Sequence, residues 1–230
     1  AKCINVEIDN QSINTIKFIF DFYKFKKTIN KIKPSYLLGY TSKPIFYLGL
    51  ASFFTKNTKF IPMITGLGYY FNRFNKKLIV KLILIYLYRL SCIKAKIFIF
   101  QNKSDQKEFA DLKIINKNSK SIVINGSGVN LSNSCKKIFS NKIKFIMVSR
   151  LLYQKGLIEY VEAARIVKNK FPKVEFVHVG GFDESPDRIN KEIYDNWKKE
   201  KNIDFLGEVK IEKVYGLLKK SNIFVLPSYY

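Results

Sequence analysis

The chain has 230 residues, of which 47% are hydrophobic and 15% aromatic; this excludes general disorder and leaves length for one large or two small domains. Its formal net charge of +23 favours an anionic partner such as a phospholipid surface or nucleic acid. Three scattered cysteines without metal-ligand spacing favour free thiols and a cytoplasmic protein.

Apolar, β-branched runs alternate with helical patterns along the whole chain. Strands are predicted near residues 35–40, 60–65, 96–101, 121–125, 145–148, 174–180, 204–206 and 223–227. Helices are predicted near residues 12–32, 43–55, 75–94, 103–110, 156–171, 187–201 and 210–220. Because such alternation is typical of parallel sheets covered by helices, the expected fold class is α/β.

The helix predicted near residues 12–32 has two apolar sides. Phe18 and Phe22 lie on one side, and Ile16, Phe20 and Tyr23 lie on the other, among lysines. A surface helix needs only one apolar face. The second side is therefore expected either to be covered by further protein or to touch a membrane. The apolar run from Leu78 to Leu90 is too short and too charged to span a bilayer, and it suits a packed or interfacial helix.

The positive charge is concentrated in the first part of the chain. Residues 1–140 contain 24 Lys+Arg against 6 Asp+Glu, a net charge of +18, whereas residues 141–230 contain 17 against 12, a net charge of +5. A polar stretch between residues 129 and 142 separates two series of strands, which predicts two domains, 1–132 and 133–230. The basic first domain is expected to attract an anionic membrane surface.

The most informative segment runs from Val148 to Gly156. It places Arg150 and Lys155 between a predicted strand and a predicted helix. Two cations and the free N–H groups of a helix N-terminus can share the charge of a diphosphate. Ligands of open α/β sheets bind at this kind of edge. A pair of solvated loop cations is the alternative that spacing alone leaves open.

The surrounding segments carry a family resemblance. After Phe145 the chain reads FIMVSRLLYQKG, then DFLGEV, then IFVLPSYY; upstream it contains YTSKP from Tyr40, TGLG from Thr65 and NGSGV from Asn125. In this order, the segments resemble the retaining glycosyltransferases of the GT-B fold (glycosyltransferase family 4, group 1), which have two Rossmann-like domains. Within that family they are most similar to a branch that builds bacterial glycans on undecaprenyl diphosphate.

The resemblance implies roles for particular residues. Arg150 and Lys155 match positions that hold the diphosphate of a nucleotide sugar, and Gly207, Glu208 and Val209 match a loop beside the nucleotide base. Loops expected to face the interdomain cleft contain Gly66, Leu67, Gly68, Gly126, Ser127, Gly128, Val129, Gly180 and Gly181. No metal and no cofactor is implied, since the UDP-sugar is the donor substrate.

The resemblance also implies what the chain does. The first domain is expected to take a lipid-linked saccharide acceptor, and the second a UDP-sugar that donates an N-acetylhexosamine with retention. The protein is expected on the inner face of the cytoplasmic membrane as a peripheral enzyme. The family's first strand should precede Ala1, and its acidic motif should follow Tyr230, so no catalytic residue is assigned. We interpret the chain as truncated at both ends and inactive by itself.

Other functions stay open at this point. A truncated non-catalytic relative would keep only membrane or partner binding, and a basic nucleic-acid-binding protein would need a known binding motif. His178 is interpreted as a buried strand residue, and the acidic pairs Asp183/Glu184 and Glu159/Glu162 as solvated carboxylates.

Overall fold

The computed structural model describes residues 3–6, 15–71, 77–115, 118–128 and 142–229. The chain divides into two compact units, Ala1–Val129 and Asn130–Tyr230. Each unit is built on a four-stranded sheet in which every pair of neighbouring strands is parallel. The expected α/β class is therefore confirmed. The boundary predicted at residues 132/133 lies outside the described residues.

The first unit has a sheet whose strands follow one another in chain order, β1-β2-β3-β4. Its elements are α1 (Thr15–Ile32), β1 (Tyr36–Tyr40), α2 (Ser42–Ser52), β2 (Lys59–Ile64), a 3₁₀ turn (Tyr69–Phe71), α3 (Leu78–Ser91), β3 (Ile97–Phe100), α4 (Lys103–Asp111) and β4 (Lys120–Val123). Asn102 caps α4 by accepting a hydrogen bond from the Asp105 N–H at 2.7 Å.

Aromatic rings fill the core of the first unit. The Phe109 ring packs against Tyr88 and Phe100 with centroids 4.9 and 5.3 Å apart, and all three residues are buried. The Tyr88 hydroxyl donates to Ser42 Oγ at 2.6 Å, which satisfies a polar group that would otherwise be costly to bury. These contacts join α2, α3, α4 and β3, and so hold the helices against the sheet.

The outward sides of two helices in the first unit are apolar. On α1, Ile16, Phe20 and Tyr23 are 66%, 65% and 59% exposed. On α3, what we call the outer face consists of large apolar residues that are all at least 54% exposed: Leu78, Ile79, Leu82, Ile83 and Tyr86. No helix in the described residues is both long and apolar enough to cross a bilayer.

The second unit has the strand order β7-β6-β5-β8. Its elements are β5 (Lys144–Val148), a 3₁₀ turn (Tyr153–Lys155), α5 (Leu157–Lys170), β6 (Glu175–Val179), α6 (Lys191–Glu200), β7 (Asp204–Phe205), α7 (Ile211–Lys219) and β8 (Ile223–Phe224). From β5 the chain builds outward through β6 and β7, and then returns to add β8 on the other side of β5. The strand order therefore reverses between β5 and β8, and ligands of open α/β sheets bind at such a switch point.

Candidate functional site

The site predicted for the second unit lies at the carboxyl edge of its sheet. Because all four strands are parallel, the segments after β5, β6, β7 and β8 leave from the same edge. These segments contain the residues singled out from the sequence in this unit: Arg150, Lys155, Gly180, Gly181, Gly207, Glu208 and Val209. The fold thus gathers at one edge residues that are up to 59 positions apart, from 150 to 209.

Arg150 follows β5 and forms an ion pair with Asp183, which follows β6. Their Nη1 and Oδ2 atoms are 2.5 Å apart. The Arg150 side chain is 62% exposed, whereas the Asp183 side chain is 15% exposed. The interpretation of Asp183 as a solvated carboxylate was therefore wrong. Its burial follows from the loop after β6, which turns back and donates the Ser185 N–H to Asp183 Oδ1 at 2.6 Å.

Lys155 ends the 3₁₀ turn that precedes α5, so a tight turn separates Arg150 from the helix. Gly156 follows with a φ of +72° and opens α5. A Cβ at Gly156 would lie 2.1 Å from the Pro227 carbonyl oxygen. Tyr229 donates its N–H to Gln154 O at 3.1 Å, and its hydroxyl donates to Glu159. The segment after β8 therefore lies directly against the turn that contains Lys155.

Two glycines hold the neighbouring segments together at this edge. Gly180 has a φ of +146°, and a Cβ there would lie 1.8 Å from the Ser149 carbonyl oxygen. Its N–H donates to the Gly207 carbonyl at 2.9 Å. Only glycine allows the strand ends of β5, β6 and β7 to approach this closely. At Gly207 itself, which has a φ of +68°, a Cβ would meet no atom within 4 Å, so this loop faces open space.

His178 lies in the middle of β6 and is 1% exposed, which confirms the interpretation of a buried strand histidine. Its Nε2 is 3.3 Å from Ser149 Oγ. Among the described residues, its Nδ1 is one of two buried side-chain polar atoms without a hydrogen-bond partner. Burial lowers the pKa of His178 to about 4, since the charged imidazolium would lose its hydration. The imidazole is thus neutral, and it contacts the hydroxyl of Ser149, the residue before Arg150.

We expect this histidine to make the second unit sensitive to acid. Its pKa is lower in the folded state than its ordinary value of 6.5. Above pH 6.5 the histidine is neutral in both states, and the folded state keeps its full stability. As the pH falls toward 4, the unfolded chain takes up a proton that the folded chain cannot, and this stability is lost. The free energy of unfolding should fall by up to roughly 3 kcal/mol across this range.

Urea unfolding followed by the fluorescence of Trp197, the single tryptophan of the chain, measures this effect. His178→Gln keeps a neutral polar side chain but cannot titrate. The difference between the two proteins should shrink steadily from pH 7 to pH 4.5. Parallel stability curves for the two proteins would contradict the assignment.

The predicted loops of the first unit also lie at the carboxyl edge of a sheet. Gly66, Leu67 and Gly68 follow β2, and Gly126, Ser127 and Gly128 follow β4. Cβ atoms at the four glycines would meet nothing within 4 Å, whereas Leu67 packs against the core. Val129 lies outside the described residues.

A polar cluster at the same edge centres on Ser127. Tyr40 Oη lies 2.9 Å from Ser127 Oγ, and Gln101 Nε2 donates to the same oxygen at 2.9 Å. Gln101 was not predicted as a site residue, although its position directly after a strand that ends at this edge was a usable signal. Next to Tyr40, Thr41 has φ 70° and ψ 169°, a conformation that is strained for any residue other than glycine.

Two family models match the chain one after the other. Residues 1–102 match "Glycosyl transferase 4-like", and residues 133–230 match "Glycosyl transferases group 1". A curated relative from Campylobacter jejuni is 28% identical over 243 residues. It is N,N'-diacetylbacillosaminyl-diphospho-undecaprenol alpha-1,3-N-acetylgalactosaminyltransferase.

Solved structures share the fold at low sequence identity. Sucrose-phosphate synthase from Thermosynechococcus elongatus superposes with a TM-score of 0.74 at 16% identity, over 99% of this chain and 60% of that one. The Anabaena protein HepE in complex with UDP gives a TM-score of 0.63 at 17% identity, over 91% of this chain and 57% of that one.

The chain spans 62% of the length of the Campylobacter relative and matches it over 99% of its own length. The two consecutive family matches and the two parallel α/β units agree with the resemblance carried by the sequence motifs. The chain belongs to the glycosyltransferases of the GT-B fold.

Proposed function

We propose that the protein transfers an N-acetylhexosamine from a UDP-sugar to a glycan acceptor linked to undecaprenyl diphosphate, with retention of the anomeric configuration. The observation that carries this proposal is the placement of Arg150 and Lys155 around the start of α5, at the switch point of the second sheet. The name of the Campylobacter relative, which acts on a diphospho-undecaprenol substrate, supports the acceptor class. We further propose a role in the assembly of capsule, O-antigen or protein-linked glycans.

Arg150 and Lys155 would hold the donor diphosphate. During transfer, the bond between the sugar and the diphosphate breaks and negative charge develops on the departing UDP. The acceptor hydroxyl oxygen bonds to the sugar carbon, and its proton passes to the departing diphosphate. Fixed cations and the N-terminus of α5 stabilise that charge where it forms. The loop of Gly207, Glu208 and Val209 would lie beside the nucleotide base. Gly180 lets the ends of β5, β6 and β7 pack closely beneath the ligand, and the open space at Gly207 leaves room for it.

The carboxyl edge of the first sheet would receive the acceptor. The open loops at Gly66–Gly68 and Gly126–Gly128 leave room for a saccharide. The hydroxyl and amide groups of the Tyr40–Gln101–Ser127 cluster are suited to hydrogen bonds with sugar hydroxyls. In the described residues this cluster consists of neutral side chains.

A transfer assay tests the proposed function. The full-length enzyme is incubated with UDP-N-acetylgalactosamine or UDP-N-acetylglucosamine and with undecaprenyl-diphosphate-linked saccharides, and the products are identified by mass spectrometry. Extension of the acceptor by one N-acetylhexosamine with an α linkage is expected. UDP binding without transfer to any of these acceptors would instead favour the non-catalytic alternative.

We also propose that the protein is peripheral on the inner face of the cytoplasmic membrane. Residues 1–140, with a net charge of +18, should bind vesicles containing phosphatidylglycerol and release them as salt rises. Sedimentation with vesicles at increasing salt measures this. Equal binding to neutral vesicles would indicate apolar insertion alone, and tight binding to duplex DNA without binding to lipid would indicate a nucleic-acid-binding protein.

The outer face of α3 is the proposed contact with lipid. Ile79 is the most exposed residue of this face, at 75%, and Lys77 and Arg89 lie near the two ends of the helix. Ile79→Asp should weaken vesicle binding by roughly 10- to 150-fold, since burying one such side chain contributes roughly 1.5–3 kcal/mol. Ile166→Asp is the matched control, because Ile166 is 59% exposed on α5 of the other unit. Equal losses from both variants would rule out α3 as the contact.

A further inference from the structure

The ion pair between Arg150 and Asp183 joins an exposed cation to a largely buried carboxylate. Asp183 Oδ1 accepts the Ser185 N–H at 2.6 Å, and its side chain is only 15% exposed. The Arg150 side chain is 62% exposed. Because a long exposed side chain has many rotamers and a backbone-anchored carboxylate has few, the carboxylate determines where the guanidinium lies.

The backbones of the two residues are also held together. Leu151 donates its N–H to Gly181 O at 3.0 Å, and Tyr153 donates its N–H to Asp187 O at 2.9 Å. Asp187 Oδ2 accepts the Gln154 N–H at 2.9 Å. Residues 149–155 and 181–189 thus run alongside each other as one hydrogen-bonded unit. The separation of Arg150 and Asp183 is fixed by this framework as well as by their own contact.

The Asp183 contact leaves most of the guanidinium available. A guanidinium has five N–H donors, and the contact with Asp183 is made by Nη1. Arg150 can therefore contact an anion without leaving Asp183. Resting on the diphosphate role proposed above for Arg150, we propose that Asp183 is a positioning residue that aims Arg150 at the donor diphosphate.

Two opposing effects decide whether the loss of Asp183 strengthens or weakens nucleotide binding. The Asp183 carboxylate repels a diphosphate, but Arg150 lies between them and the site is open to solvent, so this repulsion is screened. Without the carboxylate, binding must itself immobilise the long Arg150 side chain, which weakens affinity by about 2- to 12-fold. The positioning effect should therefore dominate, and the loss of Asp183 should weaken nucleotide binding.

Calorimetric titration with UDP tests the proposal in a double-mutant cycle. Asp183→Asn keeps an oxygen for the Ser185 N–H but removes the charge that holds Arg150. It should weaken UDP binding by about 2- to 12-fold in the wild type and have no further effect in Arg150→Ala. Glu184→Gln is the matched control: this exposed neighbour loses the same charge, and its variant should bind UDP as the wild type does.

Each other outcome has a definite meaning. UDP binding by Asp183→Asn as tight as wild type, or tighter, would overturn the positioning role. An equal loss in the Arg150→Ala background would show that Asp183 acts only on the structure of the loop, and would also overturn it. Wild-type UDP binding by Arg150→Ala would refute the diphosphate contact itself. If Asp183→Asn does not fold, Asp183→Ser replaces it, since serine keeps an oxygen for the Ser185 N–H but lacks the charge, and unchanged affinity in that variant overturns the proposal.

Discussion

Replacing either cation of the second unit by alanine is expected to reduce kcat/KM of the full-length enzyme by about 10²- to 10³-fold. Arg150 and Lys155 are proposed to stabilise the negative charge that develops on the departing UDP. Removing one group that stabilises a transition state in this way lowers the rate by about 10²- to 10³-fold. The loss should therefore include kcat as well as KM. Steady-state kinetics with the preferred UDP-sugar measures both parameters.

Lys170→Ala provides the control for these variants. Lys170 ends α5, the helix whose N-terminus follows Lys155, and it is exposed. The 14 residues of α5 put the two lysines roughly 20 Å apart. The control should keep wild-type kinetics. Near wild-type turnover by both Arg150→Ala and Lys155→Ala, with every UDP-sugar tested, would mean that these residues are solvated loop cations.

Gly180→Ala is expected to destabilise the second unit by roughly 2–6 kcal/mol. The new methyl carbon would lie 1.8 Å from the Ser149 carbonyl oxygen, and φ is +146°. Overpacking costs about 1–3 kcal/mol, and the strained backbone costs about 1–3 kcal/mol more. In the fraction of the variant that still folds, the backbone next to Arg150 must be displaced, so UDP binding should weaken too.

Urea unfolding followed by Trp197 fluorescence checks the size of this effect. Gly216→Ala is the control, because Gly216 lies inside α7 and a Cβ there meets nothing within 4 Å. That variant should be more stable than the wild type by about 0.5–1 kcal/mol. Similar stabilities for the two variants would show that the strand ends are not tightly packed at Gly180.

The sequence predicted the elements well because the signals that define them are local. A short apolar run, such as the one that becomes β5, indicates a buried strand. A stretch with helical periodicity, such as the one that becomes α5, indicates a helix. The expected carboxyl-edge location of Arg150 and Lys155 follows from the same pattern, since each residue comes directly after a strand or before a helix. Their contact with a diphosphate stays a prediction.

The contacts that the sequence did not predict depend on which strands are neighbours. Asp183 meets Arg150 across 33 positions, and only the pairing of β5 with β6 brings the two together. Gln101 meets Ser127 in the same way, through the pairing of β3 with β4. The positive φ of Thr41 was not predicted either, because residue type alone would predict an ordinary extended conformation there.

The arrangement of strands also bears on how the chain folds during synthesis. All four strands of the first sheet lie between Tyr36 and Val123, and all four of the second lie between Lys144 and Phe224. Within the part of the chain that the structure describes, neither sheet takes a strand from the other unit. The first sheet can therefore close on the ribosome before the second has been translated, and slow parallel pairing in one unit need not delay the other. A ribosome stalled after Lys170, once the first unit has left the exit tunnel, should already carry a protease-resistant first unit.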